Sequence, residues 1–502
     1  MAAGNLRIIS DNAAANGTAT NEVEARVTDA HDNPLADITI TFSADNGATV
    51  SIQNVTTDAD GLARTTLTST TAGSSRVTAA VYGSSENIDV TFVADAATAV
   101  LSELVVISDD ALADGVRDNS VRATVQDAHG NPISGVTVAF STDNGASITA
   151  NSVMTDVNGQ IVASLTHTLA GQSWVTAEAN SSSRSVAVNF VADAASASLS
   201  NLEVTLNNAV ANGSAANGVQ ATVTDAYGNP LTGVTVIFNA DNGASIITNA
   251  GITDANGQAS ATLTSIIAGN STVTATVNGY SESIVVSFSA DASTANLNAS
   301  DLLVTVDHAT ANGVAENSVQ ATVKDANGNP VSGITVNWSA SNNATIVPAS
   351  GITNAEGVVI ANLTNTTAGI ATVTAAITGS DASVSTQFLA GNLAADSSSL
   401  TVSPAAIPAD GTTEAILRLA LFDEFGNAVT GLSDLMFVAI PAEVTIAPPV
   451  EMSEGIYVAT LKSTHPGTVS IAVTLAGNAT GITGSLNIYP LSFSGRVTFL
   501  MP

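Results

Sequence analysis

The chain holds 502 residues, of which 45% are hydrophobic and only 11% charged, with 43 acidic against 11 basic side chains and a formal net charge of -32. Binding to phosphate backbones needs clustered Lys and Arg. Here the only lysines are Lys324 and Lys462, with neither Lys nor Arg between Arg184 and Lys324, which excludes nucleic acid as a partner and electrostatic docking on anionic lipid. The absence of cysteine excludes disulfides, thiolate metal centres and thiol catalysis. No apolar run reaches the ~18–20 residues of a helical membrane span, and the hydrophobic share is too high for a disordered polymer.

Taken from the N-terminus, Met1–Asn5 shows neither the basic region nor the apolar run of an export signal. The chain is therefore expected to be a cytosolic protein or a piece of a longer exported one. Leu6–Ile9 is a short apolar strand, ended by the turn at Asn16-Gly17. Val23–Asp29 alternates apolar and polar positions, as a half-buried strand does. Asp32-Asn33-Pro34 turns the chain, because Asn tolerates left-handed geometry and Pro fixes φ. Ile38–Ala44 alternates again with Ile38, Ile40 and Phe42 on one face, Asp45-Asn46-Gly47 turns, and Thr49–Gln53 forms a further strand. After the tight turn Thr57–Gly61 come Leu62–Thr68, a break at Ala72-Gly73, Arg76–Val81 and Ile88–Val93 with Phe92 inward. Seven short strands punctuated by turns read as an immunoglobulin-like sandwich.

The same phrases return along the chain. Asn33, Asn131, Asn229, Asn329 and Asn427 sit in equivalent turns, spaced 98, 98, 100 and 98 residues apart. That period is too long for a solenoid unit and fits one autonomous domain of about 100 residues. The third-strand aromatic is Phe42, Phe140, Phe238 and Trp338, with Met436 at the matching place in the last unit. The last-strand aromatic is Phe92, Phe190, Phe288 and Phe388. Boundaries fall in the linkers beginning at Ala94, Ala192, Ala290 and Ala390, giving domains 1–94, 95–192, 193–290, 291–390 and a divergent 391–490, with 491–502 an unassigned tail. Such linkers are too short to act as tethers. The expected architecture is all-β: five tandem immunoglobulin-like sandwiches in an elongated rod, roughly 40 Å per domain and about 200 Å in all.

The ordered set D-x-x-G-N-P, V-x-V-x-F, T-D-x-x-G, L-T, A-G and V-T-A resembles the type 1 bacterial immunoglobulin-like domain of intimins and invasins. The second unit carries it as Asp127–Pro132, Val136–Phe140, Thr155–Gly159, Leu165-Thr166, Ala170-Gly171 and Val175–Ala177. The likeness runs over about residues 5–490. It implies a cell-surface stalk anchored by an outer-membrane barrel outside this chain, holding out an adhesive end that contacts a host surface protein, a glycan or other bacteria. A stiff spacer of this kind is expected to be an elongated monomer and not an enzyme. The alternative is that the repeats themselves bind the receptor, assisted by calcium.

Candidate sites are few. Thr57–Gly61 contains the D-x-D-G opening of a calcium loop, but no bidentate Glu follows at the required spacing and Asp and Asn are favoured in such turns anyway. Asp95, Asp193 and Asp291 recur at the joints and are candidates for an interdomain calcium, although the fourth joint reads Gly391-Asn392. His31 and His129 share the tip of the Asn turn with Tyr227, Asn327 and Phe425, a variable position. No Ser/His/Asp cluster breaks the repeat, so no catalytic residue is expected. Trp174 falls on an outer face and is a candidate partner contact. Phe425, close to Phe422 and Phe437 in the Pro-rich last unit, is another.

Overall fold

A computed structural model describes residues 5–151, 153–247 and 250–492. The export-signal reading of the N-terminus and most of the unassigned tail therefore fall on positions outside the described residues.

In the first domain β1 (Leu6–Ser10), β3 (Asn21–Arg26), β5 (Thr49–Val50) and β7 (Leu62–Thr68) form one sheet in the order β1-β3-β7-β5. The facing sheet has the order β2-β9-β8-β4-β6, with β2 (Ala13–Ala14), β4 (Thr39–Ala44), β6 (Asn54–Thr56), β8 (Gly73–Val81) and β9 (Ser84–Val93). This corrects the seven-strand reading: β2 and β6 are additional. With two and three residues they are too short to display a period. β8 and β9 join through Tyr82-Gly83, both at positive φ, the tight hairpin that matches strand twist.

The chain crosses between sheets after β1, and β2 then pairs parallel to β9, Ala13 opposite Phe92. A buried asparagine holds this crossing. Asn21 is wholly buried, accepts from Ala13 N at Oδ1 (2.9 Å) and donates through Nδ2 to Thr91 O (2.9 Å). Asn119, Asn217 and Asn317 make the same pair of bonds in the next three domains. The last domain has Ala415 opposite Leu461, where the others place that asparagine opposite Leu67, Leu165, Leu263 and Leu363.

Each core lies between the two sheets of a domain. In the first it comprises Val23, Ala25, Ile40, Phe42, Leu67, Val77, Ala79, Val90 and Phe92. The linker alanines Ala94, Ala192, Ala290 and Ala390 pack on the core of the domain that follows each of them. The third-strand aromatic is buried at Phe42, Phe238 and Trp338 and half-buried at Phe140. Met436 is a correction: it is 60% exposed, and Phe437 faces Val473 where the earlier aromatics face Ala79, Ala177, Ala275 and Ala375. The path from the Asn turn to this strand is one residue longer in the last domain, and a one-residue slip moves a side chain to the opposite face. The last domain also moves a strand between sheets. Val450–Ser453 pairs with Ile456–Lys462, whereas β6 pairs with β4.

The recurring glycine before β7 and its equivalents has a steric reason. Gly61 has φ +74, and a Cβ there would lie 2.5 Å from Val27 O; Gly159, Gly257 and Gly357 repeat both features. Gly61→Ala is expected to cost at least about 2 kcal/mol more than Gly83→Ala, which meets the left-handed penalty of ~1–2 kcal/mol alone because nothing lies within 4 Å. Hydrogen exchange of the Val23 and Leu67 amides under globally unfolding conditions measures the difference.

Candidate functional site

Every domain from the second onward begins with the same small construction, best followed at Asp127–Asn131. Asp127 is 4% exposed, and its carboxylate accepts four N–H groups. Oδ1 takes His129 N and Asn131 N (both 2.9 Å), and Oδ2 takes Asn131 Nδ2 (2.8 Å) and Asp95 N of the linker (3.1 Å). A carboxylate only accepts, so these contacts fix which end of the Asn131 amide is nitrogen.

The oriented amide then reaches into the preceding domain. Asn131 Nδ2 donates to Thr70 O (2.9 Å), and Asn131 Oδ1 accepts from Ala72 N (2.8 Å). One side chain thus copies the paired donor and acceptor of a peptide group, and the closing loop before β8 becomes its partner. The latch recurs at the other three joints. Asn229 bonds Thr168 O and Ala170 N (2.8 and 2.8 Å), Asn329 bonds Ile266 O and Ala268 N (2.9 and 2.8 Å), and Asn427 bonds Thr366 O and Ala368 N (2.9 and 2.7 Å). All four asparagines are buried.

The linker is pinned to the same turn. Ala96–Thr98 is a single turn of 3-10 helix capped by Asp95, whose side chain accepts from Ala97 N. Thr98 Oγ1 accepts from Ala128 N (3.2 Å). At the fourth joint Gly391 N donates to Asp423 Oδ2 (2.8 Å), since this contact needs only a backbone N–H. Joint three adds Asn327 Nδ2 donating to Ala211 O (3.0 Å).

Burial pushes the carboxyls of Asp127, Asp225, Asp325 and Asp423 up, but hydrogen bonds from the neighbouring asparagine and backbone outweigh it and hold them below the usual carboxylate range. A carboxyl depressed in the folded state stabilises it above the unfolded value of about 4, and that stabilisation is lost as pH falls through the folded value.

The candidate calcium residues Asp95, Asp193 and Asp291 stand at these joints, and their side chains cap the linker helices while their backbone N–H groups serve the latch. In the D-x-D-G turn Asp58 Oδ1 accepts from Asp60 N and Leu62 N; Asp156 and Asp254 do the same in their turns. Among the described residues no three His, Asp or Glu side chains converge. Trp174 is 49% exposed on the outer face of Gly171–Ala179, opposite Ala187. Phe425 lines a cavity of about 340 Å³ with Thr310, Asn312, Gly391 and Asp423, on the side of the last domain that meets the fourth. His167 is buried edge-on to Phe190 with no partner at Nε2.

The residues that bring domains together were visible in the sequence as repeated Asp and Asn in the D-x-x-G-N-P phrase, but repetition alone reads as fold grammar. Nothing in the sequence tells that one amide of the turn faces outward to another domain.

Comparison with known proteins agrees with this architecture. The model of the bacterial Ig-like domain (group 1) matches residues 3–93, 101–191, 199–289 and 299–389, and that of invasin domain 3 matches 394–490. The chain is 36% identical over 385 residues to the inverse autotransporter adhesin YeeJ of Escherichia coli strain K12, covering 74% of this chain and 16% of the relative. It is 31% identical over 189 residues to invasin of Yersinia enterocolitica, covering 38% of this chain and 22% of the relative. The chain thus spans less than a quarter of either relative's length. Among solved structures, an integrin-binding bacterial invasin aligns at 24% identity over 81% of this chain and 87% of its own, with a TM-score of 0.37. The Escherichia coli adhesin FdeC aligns at 24% identity over 60% and 99%, with a TM-score of 0.45.

Two outcomes are expected at the joints. Asn229→Ala removes both bonds to the preceding loop and should speed exchange of the Ala170 N–H roughly 10-fold or more, at about 1 kcal/mol per bond, while the Val219 and Val273 core amides keep their rates. In the unaltered chain the Ala170 amide should hold its protection, corrected for intrinsic exchange, from pH 7 to about pH 4. It should lose it in stronger acid as Asp225 takes up its proton.

Proposed function

The chain belongs to the bacterial Ig-like (group 1) family, and on that premise we propose that it is a stiff spacer in the exported passenger of a bacterial surface adhesin of the invasin and intimin kind. The domains divide at 1–94, 95–192, 193–290, 291–390 and 391–490. The observation that carries the reading is the repetition of one Asn latch at four successive joints. A bare linker would leave each joint a swivel; a buried amide with a pinned helical linker sets an orientation. An outer-membrane barrel outside this chain supplies the anchor, and the adhesive contact with a host surface protein, a glycan or another bacterium is made outside it as well. The spacer acts as a monomer and by geometry alone.

A second reading rests on Trp174, whose indole stands exposed where a core role would bury it. In that reading the repeats themselves touch the receptor, and an interdomain calcium at Asp95, Asp193 and Asp291 assists.

Small-angle scattering should give an elongated particle for residues 1–502, on the order of 200 Å long from strand and domain dimensions; a compact particle overturns the spacer. Beads coated with the chain should not bind epithelial cells, with or without calcium. Binding that is lost with Trp174→Ala would establish the second reading instead, and binding lost on ending the chain at Asn392 would make the last domain, with Phe425, the adhesive tip.

A further inference from the structure

Among the described residues, the first domain carries one half of a joint whose asparagine has no partner loop. Asp29 Oδ1 accepts from His31 N (2.8 Å) and Asn33 N (2.9 Å), and Asp29 Oδ2 accepts from Asn33 Nδ2 (2.9 Å). The turn is therefore already set as in the four filled joints, where the matching bonds are 2.8–2.9 Å. Asn33 is exposed where its four equivalents are buried, and its Oδ1 takes no bond among the described residues. Hydrogen bonds from Asn33 itself and from backbone hold the Asp29 carboxyl below its usual range, so the turn keeps its charge at neutral pH without a partner.

The opposite end is built otherwise. The loops that fill the joints present an N–H at Ala72, Ala170, Ala268 and Ala368, each followed by glycine. In the last domain the position before Gly467 is Pro466. Proline has no N–H to give and its ring occupies the space where the Asn oxygen approaches. The preceding Thr464 carbonyl alone offers half a latch.

We propose that the Asp29–Asn33 turn is a docking surface for the closing loop of a further domain of this type bearing Ala before Gly, and that Pro466 keeps the chain's own last domain from serving as that partner. Two copies then do not join end to end through this latch. The inference rests on the geometry of the joints and holds whether or not the array serves adhesion.

The test extends the full chain by a second copy of residues 101–196 placed directly ahead of Met1. This sets Thr168 of the added copy 61 residues before Asn33, the separation between Thr70 and Asn131. Hydrogen exchange is read on the peptide covering residues 29–35, unique in the extended chain. Docking should slow it about 10-fold relative to the unextended chain, and Ala170→Pro in the added copy should abolish the slowing while the copy's Val175 and Val188 core amides stay protected. Equal exchange in the Ala and Pro versions, or no slowing with Ala, overturns the proposal. The unaltered chain should sediment as a monomer at high concentration; head-to-tail chains through Pro466 would overturn its second half.

Discussion

The arrangement of the whole chain depends on an asparagine amide behaving as a peptide group. Within a sandwich, neighbouring strands are held by backbone pairs, but two sandwiches meeting end to end present no strand edges to one another. Asn131 supplies one donor and one acceptor at the needed spacing, and the loop Thr70–Ala72 answers with one carbonyl and one N–H. The amide can do this only if it does not rotate, and Asp127 fixes it by taking the second Nδ2 hydrogen. Among the described residues the apolar clusters each stay within one domain and its leading linker, so the joints rest on polar geometry rather than on buried area. Such bonds are individually worth only about 0.5–1.5 kcal/mol. Several converging on one turn define an orientation better than one apolar patch would, because hydrogen bonds weaken steeply with angle.

This solution suits a chain with few cations and no cysteine. With 43 acidic against 11 basic residues, the chain has few cross-domain salt bridges to draw on, and it has no disulfides. Crowding acidic groups at a joint would ordinarily push the domains apart. Here the charge of Asp127 is absorbed by four N–H donors, one of them the backbone of Asp95, while the Asp95 carboxylate turns away to cap its own helix. The remaining charge is spread over the surface, where screening limits its reach to a Debye length of about 8 Å in physiological salt.

The architecture was legible because its signals are local. Alternation in Ile38–Ala44 or Leu62–Thr68 reports one face buried and one exposed, and the fixed glycines report left-handed turns at Gly61 and its equivalents. The strands β2 and β6 escaped because two or three residues carry no period, and the crossing that β2 makes depends on Asn21, seven or eight positions downstream and bonded to Thr91. Met436 misled because numerical spacing was carried across an insertion that the alternation of Leu435, Phe437 and Ala439 contradicts. The joint asparagines were seen and their partners were not. A repeated Asn-Pro turn has sufficient reason in backbone geometry, and its second use appears only when the loop 61 residues earlier is placed beside it. Trp174 was placed correctly on an outer face by alternation alone.

The last domain shows which features belong to a joint and which to a sandwich. It keeps the Asn427–Asp423 latch in full, with Gly391 giving the linker N–H, although its linker helix Ala395–Ser397 lacks the aspartate cap of the other three joints. It lacks the buried asparagine at Ala415, moves Val450–Ser453 to the other sheet and closes its far loop with Pro466. The crossing between sheets survives because Ala406–Pro408 still pairs parallel with the final strand. The sandwich thus tolerates replacement of an internal staple, since a broad apolar core of Leu417, Leu461, Ile471 and Ile488 remains. The latch at the near joint shows no such substitution; only the linker around it varies. Its geometry uses one amide, one carboxylate and two backbone groups, and exchanging any of them would leave a buried partner unpaired.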